Sequence, residues 1–398
     1  MKIYGVNISH DTSLAVIEDG VVTQVYEEER SRREKYFDFS KSNDGDHGLV
    51  LVEHKHLETP DELVFASFDR RSVQLEFNKD LLRFNRKEQD PVVVEFAREQ
   101  LTTERLKEIA EEHPSWFTLD DNTNENGMAN EDFELCEDIA KQIGVEDYFF
   151  DFEHHLYHAE SGYTLSPWKD EPCIAITWDG GGAITHFDTH PNYQEIESIW
   201  RCEPNTTPKP QWKRYSNHRF LGEIHNQSFV NYLDDCFVCQ EDVTETIDGV
   251  ESVFTSQPSM GMNFSNVSYA LGCDDMGRAA GKVMGMASYG SQGVMGGVFN
   301  RHTIAQELEL QAFETYCTII QRAIDLNPDT NKIILSGGFS LNCTNNYKYL
   351  ERFPTHQFFV DPVPHDGGTA VGAASILYRN IMEGTDVSTE EGEENVAD

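Results

Sequence analysis

The chain has 398 residues, of which 70 are acidic and 31 are lysine or arginine, so its formal net charge is -39. This charge repels phosphate backbones and disfavours duplex DNA or RNA as a partner. The sequence has no apolar run near the roughly 18 residues of a membrane helix and no signal peptide, so we expect a cytoplasmic protein without membrane contact. A chain of this length favours two domains or lobes around a cleft.

The first elements in chain order are predicted β-strands. KIYGVNIS, TSLAVIEDG and VVTQVYEEE have the composition of strands, and Asp19-Gly20 predicts a hairpin turn between the second and the third. A second set of strands is predicted at PCIAITWD, GAITHFDT and YQEIESIW. Two strand-turn-strand-strand units indicate a duplicated α/β architecture.

Helices are predicted between the two sets, at 90–113 and at NEDFELCEDIAKQIG. The stretch VEDYFFDFEHH then predicts a strand that leads into a helix. If that helix begins near Phe152 or Glu153, His154 and His158 are four residues apart and share one face, whereas His155 points about 100° away. Two imidazoles in this arrangement can chelate one metal ion.

The segment 202–265 contains the basic stretch KPQWKRYSNHRF. We interpret this stretch as a loop that balances local charge, and anion binding is the less favoured alternative. The residues that would bind an anion are Lys209, Lys213, Arg214 and Arg219. Farther on, AQELELQAFETYCTIIQRAIDL predicts a long amphipathic helix.

The last two motifs each predict a strand, a turn and a helix. In HQFFVDPVPHDGGTAVGAASILYR the turn holds Asp366, which either completes a set of two histidines and one carboxylate or caps the following helix. In NKIILSGGFSLNCTNNYKYL the turn SGGF resembles the earlier DGGG at 179–182, and glycines there permit close approach to a phosphate or an adenine. Asn342 could contact the sugar or base, and Lys282 could neutralise a phosphate or lie free on the surface.

Seven motifs in this order resemble the NodU/CmcH (TobZ-like) family of O-carbamoyltransferases. They are GVNISHDTSLAVIEDG, EEERSRREK, EHHLYHAESGY, TWDGGG, GKVMGMASYG, LSGGFSLNC and VPHDGGTAVGAA. The resemblance implies an α/β, actin-like ATPase (ASKHA) fold with two RNase H-like lobes around a nucleotide cleft. We expect the lobes at 1–170 and 171–380, with an insertion near 202–265 and a disordered acidic tail at 381–398.

The resemblance also implies a reaction. Carbamoyl phosphate and ATP give carbamoyladenylate, and the carbamoyl group passes to a hydroxyl of a small-molecule or nucleotide acceptor. Fe²⁺ or another divalent metal would be bound by His154, His158 and Asp366. His10 or Asp11 would act as general base. Lys35 and Lys282 would stabilise carbamoyl or phosphate oxygens, and the adenylate would lie against Gly180, Gly181, Gly182, Gly337, Gly338 and Asn342.

Family members usually continue into a YrdC-like domain that makes the carbamoyladenylate, and this chain has no such segment. We therefore expect a separate YrdC-like protein as a partner, a longer parent protein or a changed activity. Three alternatives stay open: threonylcarbamoyl transfer to tRNA, which the charge disfavours, a non-catalytic nucleotide-binding scaffold, and a metallohydrolase that uses the histidines.

Overall fold

The structure is a computed structural model. It describes residues 1–9, 11–33, 49–50, 52, 57–66, 82–85, 128–151, 153–182, 184–187, 190–216, 242–255, 257–271, 273, 279–290 and 301–383. The described residues fall into two compact units. The first contains those of Met1–Glu160 and Asp366–Asp398, and the second contains those of Ser161–His365. The predicted helix at 90–113 lies outside the described residues. Of the predicted disordered tail at 381–398, residues 381–383 are helical, which corrects the prediction there, and the rest lies outside the described residues.

The strands and helices of the described residues are as follows. The strands are β1 (Lys2–Asn7), β2 (Ser13–Glu18), β3 (Val21–Glu27), β4 (Glu62–Ala66), β5 (Leu82–Asn85), β6 (Asp147–Asp151), β7 (Cys173–Trp178), β8 (Ile184–Phe187), β9 (His190–Cys202), β10 (Lys209–Ser216), β11 (Val243–Ile247), β12 (Val250–Thr255), β13 (Lys332–Ser336) and β14 (Gln357–Val360). The helices are α1 (Glu28–Arg32), α2 (Met128–Ile143), α3 (His154–Leu165), α4 (Met260–Ala270), α5 (Ala280–Ala287), α6 (Arg301–Leu326), α7 (Cys343–Arg352) and α8 (Thr369–Glu383). Short 3₁₀ turns lie at Gly338–Leu341 and Asp366–Gly368.

The first unit is built on a sheet with the strand order β3-β2-β1-β4-β6-β5. Strands β1, β2 and β3 pair antiparallel, and β4 and β6 continue the sheet in parallel from β1. The turn between β2 and β3 is Asp19-Gly20, which confirms the prediction. Both residues have a positive φ, 49° and 78°, as the two-residue hairpin turn requires.

Helices cover both faces of this sheet. Because side chains alternate between the faces of a strand, Val6 and Phe65 pack with Ile139 of α2, while Ile3 and Val64 pack on the other side with Leu377 of α8. Strands β1 and β4 are apolar nearly throughout because both of their faces are buried. Helix α8 therefore completes the core of the first unit, although it follows the second unit in the sequence.

The second unit has the order β11-β12-β10-β9-β7-β13-β14, with β8 paired to β9. Its strands β10-β9-β7-β13-β14 repeat the arrangement β3-β2-β1-β4-β6 of the first unit, with three antiparallel strands followed by two parallel ones. The core lies between β7 and the helices α4 and α6. The repeated order confirms the expected α/β, actin-like ATPase fold with two RNase H-like sheets.

The structure corrects the interpretation of 209–216 as a loop. This stretch is strand β10, the third antiparallel strand of the second sheet, and the predicted strand β8 is only an added partner of β9. Charged residues fit here because Lys213 Nζ lies 2.9 Å from Glu195 Oε2 and Arg214 Nη1 lies 3.4 Å from Glu197 Oε2. Both lysine and arginine are thus neutralised by the neighbouring strand, and the anion-binding alternative loses support for these two side chains.

The observed units divide the chain differently from the expected lobes, 1–170 and 171–380, because the first unit ends at Glu160 and takes up helix α8, and residues 161–170 belong to the second unit. Helix α8 lies with the first unit, since its apolar face packs on the sheet that contains β1. The expected insertion near 202–265 contributes β10, β11, β12 and part of α4 to the second unit. Within the described ranges, no helix is both long and apolar enough to cross a bilayer.

Candidate metal centre and glycine turns

Helix α3 presents two histidines on one face at its N-terminal end. His154 and His158 are 3% and 0% exposed, and their Nε2 atoms lie 3.1 Å apart. Two imidazoles that bind one ion through bonds of about 2.1 Å have nitrogens roughly 3 Å apart, so the observed spacing fits a shared ion. The ring of His155 is also buried, but its centroid lies 6.4 Å from that of His158. The predicted start of the helix and the shared face are confirmed.

A carboxylate joins the two imidazoles within the first unit. Asp366 is 2% exposed, and its Oδ1 lies 3.6 Å from the Nε2 atoms of both His154 and His158. The ligand-type atoms of these three buried residues all lie within 4.8 Å of one another. Two histidines and one carboxylate are a donor set that holds divalent metals such as iron. The structure thus brings together the three residues that the sequence singles out as metal ligands.

The first turn of the chain contacts this carboxylate. Ser9 Oγ lies 3.4 Å from Asp366 Oδ2 and donates a hydrogen bond of 2.9 Å to Asn7 Oδ1, which also accepts from Ser9 N. Asn7 Nδ2 in turn contacts the carbonyl oxygen of Asp11 at 3.4 Å. Asn7 and Ser9 are functional candidates that the sequence interpretation missed. Their signal was a pair of small polar residues at the end of an apolar strand, directly before His10 and Asp11.

Of the three predicted catalytic residues, the structure describes Asp11. Asp11 has a φ of 60°, in the left-handed region, which Asp tolerates better than most residues. Backbone atoms around it are held by Asn7 and by Thr12, whose Oγ1 donates to Ser9 O at 2.8 Å. His10 and Lys35 lie outside the described residues. Their roles, and that of Asp11 as a base, stay predictions.

The two glycine turns are joined within the second unit. Asp179, which follows β7, accepts a hydrogen bond of 2.9 Å at Oδ1 from the backbone N–H of Gly338. Gly337 has a φ of 87°, and a β-carbon there would lie 2.3 Å from the carbonyl oxygen of Trp178. The structure therefore brings the DGGG and SGGF turns together at the ends of β7 and β13. Asp179, which links them, is a further candidate that the sequence interpretation did not single out.

The glycines of the DGGG turn differ in the space around them. A β-carbon on Gly181 would lie 2.3 Å from the amide end of the Gln194 side chain, which would have to move to admit it. Among the described residues, a β-carbon on Gly180 would meet nothing within 4 Å, and the φ of Gly180 lies outside the left-handed region. Gly182 donates its N–H to Glu195 O at 2.6 Å. Space next to Gly180 is thus open, as a close-approaching ligand would need.

Asn342 and Lys282 are already engaged in other contacts. Asn342 Oδ1 accepts from the N–H of Asn345 and caps helix α7, and its Nδ2 donates to Glu309 Oε2 at 3.0 Å. Burial raises the pKa of Glu309, and the hydrogen bond from Asn342 opposes this effect. Lys282 Nζ donates to Cys273 O at 2.8 Å from an exposed position on α5. Direct nucleotide contacts by these two side chains stay predictions.

The comparison with protein families gives a match over most of the chain. A family model described as carbamoyltransferase N-terminus matches residues 2–302. Among curated proteins, an uncharacterized protein of Methanocaldococcus jannaschii is 22% identical over 273 residues, which cover 60% of this chain and 38% of that protein. The chain thus spans well under half the length of this relative.

Two solved structures illustrate the similarity at the level of coordinates. HypF of T. kodakarensis is 12% identical, with a TM-score of 0.49, and the match covers 96% of this chain and 48% of that one. Component A of the (R)-2-hydroxyglutaryl-CoA dehydratase of Acidaminococcus fermentans is 9% identical, with a TM-score of 0.43, and the match covers 96% and 99%. Since the family model matches more than half of the sequence, the chain belongs to the carbamoyltransferase N-terminal family.

Proposed function

We propose that this chain performs the transfer step of an ATP-dependent O-carbamoyltransferase. The observation that carries the proposal is the convergence of His154 Nε2, His158 Nε2 and Asp366 Oδ1 at 3.1 to 3.6 Å in a member of a carbamoyltransferase family. The linked glycine turns at 179–182 and 336–339 give further support, because backbone can approach an adenylate closely there.

In this proposal an acceptor hydroxyl attacks the carbamoyl carbon of carbamoyladenylate. The bond from that carbon to the adenylate oxygen breaks, AMP leaves, and the hydroxyl proton passes to Asp11 or His10 as general base. Lys35 and Lys282 would stabilise the developing oxyanion or the phosphate. A divalent cation, with Fe²⁺ as the first candidate, would be held by His154, His158 and Asp366 and would stabilise charge on the departing phosphate.

The adenylate would lie against the glycines of the two turns, Gly180, Gly181, Gly182, Gly337 and Gly338. Asn342 would support this site by capping helix α7, which follows the second turn. The acceptor would be a small molecule or a nucleotide with a free hydroxyl. Carbamoyladenylate would be made from carbamoyl phosphate and ATP by YrdC-like chemistry. The net charge of -39 supports a small acceptor over a tRNA.

The test is equilibrium binding of ATP and of AMP, with and without Fe²⁺ under anaerobic conditions. The wild type is compared with His158→Ala and with the matched control His155→Ala, which removes a buried imidazole from the same helix turn but none of the proposed ligands. His155 contacts the rings of both proposed ligands but is not itself one of them. We expect metal-dependent binding in the wild type and the control, and its loss in His158→Ala. Transfer is then assayed with carbamoyl phosphate, a YrdC-like protein and a panel of hydroxyl acceptors.

Failure of every form to bind either nucleotide under any metal condition would overturn the proposal and favour a non-catalytic scaffold. Equal metal-dependent nucleotide binding by His158→Ala and the wild type would reject only the proposed metal ligands and would leave the transfer step untouched.

A further inference from the structure

Helices α3 and α8 each supply part of the proposed metal centre. Helix α3 begins at His154 and contains His158, whereas Asp366 lies three residues before the start of α8. The turn that holds Asp366 is tied to α8, because Thr369 Oγ1 donates to Asp366 O at 2.6 Å. The separation of carboxylate and imidazoles therefore depends on how α8 lies against α3.

Small residues bring the backbones of these helices close together. A β-carbon on Gly372 would lie 2.1 Å from the carbonyl oxygen of Tyr157, which sits between the two histidines on α3. The surrounding contacts are apolar and include Tyr157, Ala373 and Ala374. Apolar contacts are non-directional, so a charged pair adds a constraint on the displacement of one helix along the other that these contacts lack.

A partly buried ion pair adds a directional contact. Arg379 Nη2 of α8 forms an ion pair with Glu160 Oε1 of α3, and the side chains are 16% and 0% exposed. The ion pair and the Gly372 contact join the same two helices. Gly372 of α8 contacts Tyr157 of α3, and Arg379 of α8 pairs with Glu160 of α3. Since each residue advances a helix by about 1.5 Å, a displacement of one residue would change the distance of 3.6 Å between Asp366 Oδ1 and the imidazole nitrogens by a large fraction.

We propose that Arg379 is a positioning residue for the metal centre, which through Glu160 fixes α8 against α3 and so holds Asp366 at ligand distance from His154 and His158. This inference rests on the metal site of the proposed function. It assigns to Arg379 a role that needs no contact with metal or substrate, comparable to the outer partners that orient metal ligands in other sites.

The experiment measures Co²⁺ binding by competition with a chromophoric chelator, together with the visible absorption of the bound Co²⁺ and the melting temperature of the apoprotein. The variants are Arg379→Lys, Arg379→Met and the double variant Glu160→Gln/Arg379→Met. The double variant leaves no unpaired buried charge, so it keeps the test valid if Arg379→Met does not fold. Glu251→Gln/Arg322→Met removes a partly exposed ion pair of the second unit and controls for the change in composition.

We expect the double variant to bind Co²⁺ about 10-fold or more weakly, in line with losses of outer-shell partners, with an altered absorption spectrum and a melting temperature near that of the control pair. Arg379→Lys should recover part of the affinity and the wild-type spectrum. Wild-type affinity and spectrum in the double variant would overturn the inference while leaving the proposed metal site intact. Absence of Co²⁺ binding in the wild type would instead overturn the metal site and this inference with it.

Discussion

Gly372 lies against the main chain of Tyr157 so closely that a β-carbon at this position would be 2.1 Å from the Tyr157 carbonyl oxygen. Backbone on both sides cannot yield as a flexible side chain would, so Gly372→Ala must move α8 away from α3. We expect a loss of about 1 to 3 kcal/mol in the free energy of unfolding, typical of overpacking, and weaker binding of divalent metal. Chemical denaturation and Co²⁺ titration measure the two effects.

The matched control is Gly281→Ala on helix α5, where a β-carbon meets no described residue within 4 Å. This change should raise the free energy of unfolding by up to about 1 kcal/mol, because alanine is the better helix former. If Gly372→Ala is as stable as the wild type and binds metal with the same affinity, the close contact between Gly372 and Tyr157 would be contradicted.

Removing the Ser9 hydroxyl should weaken metal binding. Ser9 Oγ lies 3.4 Å from Asp366 Oδ2 and is held by Asn7, so Ser9→Ala leaves the carboxylate less constrained. We expect an increase of about 10-fold in the dissociation constant for Co²⁺, with little change in melting temperature. Thr23→Ala on β3, which removes a hydroxyl bonded to Val16 O, serves as the control and should bind Co²⁺ like the wild type.

A methyl group on Gly180 should separate ligand binding from folding. The β-carbon of Gly180→Ala would meet no atom of the part of the chain that the structure describes within 4 Å, so the variant should fold with at least wild-type stability. If an adenylate lies against this residue, affinity for ATP or AMP should fall about 10-fold or more, which is about 1.4 kcal/mol. Calorimetric titration and thermal unfolding give the two readouts.

Gly337→Ala provides the contrast, since this residue has a φ of 87° and faces Trp178 backbone at 2.3 Å. It should lose at least about 1 kcal/mol of stability. Unchanged nucleotide affinity in Gly180→Ala would argue that the ligand does not approach the DGGG turn.

The buried carboxyl of Glu309 predicts a specific pH dependence. Burial raises its pKa above the ordinary value of 4.5, so between these two pKa values the folded state binds more protons than the unfolded state. The contribution of this group to the free energy of unfolding is therefore fully present below pH 4.5 and is lost as the pH rises through the folded-state pKa. Glu309→Gln stays neutral and can still accept from Asn342 Nδ2, so it should lack the part of the pH-dependent loss that Glu309 contributes.

The measurement is urea denaturation of both proteins at a series of pH values from about 4.5 upward, with the exposed Glu307→Gln on the same helix as control. A difference between wild type and Glu309→Gln that does not change with pH would contradict the assignment of the raised pKa to Glu309.

The net charge of -39 predicts a dependence of stability on salt. Repulsion among carboxylates is screened when the Debye length falls from about 10 Å at 0.1 M to about 3 Å at 1 M salt. We expect the melting temperature to rise by several degrees between these KCl concentrations. Sucrose at equal osmolality raises stability without screening, so an equal rise in sucrose would show that charge repulsion is not the cause.

Local signals in the sequence were sufficient for much of the first unit and for the metal centre. The Asp19-Gly20 turn, the strands on either side of it and the start of α3 follow from residues that are neighbours in sequence. Spacing alone placed His154 and His158 on one face. Asp366 could be offered from its turn alone only as a metal ligand or a helix cap, and the family resemblance favoured the ligand. Its distance from the histidines depends on α8, more than 200 positions farther along the chain.

Strand β10 was missed for the opposite reason. Lys213 and Arg214 mark a polar segment when read locally, and their fit in a core sheet depends on Glu195 and Glu197 of the adjacent strand. The role of Asn342 had a readable local signal, since Asn is a preferred N-cap, but its bond to Glu309 joins two helices and is not encoded nearby.

The packing of α8 on the sheet of β1 has a consequence for biosynthesis. The side chains that bury Ile3 and Val64 include Leu377 and Ile376, which leave the ribosome only after the entire second unit has been made. The second unit can acquire its core during translation, whereas the first must wait, with part of its sheet uncovered, until residues near 377 have emerged. The earlier-synthesised half of this protein is therefore expected to be the later one to fold.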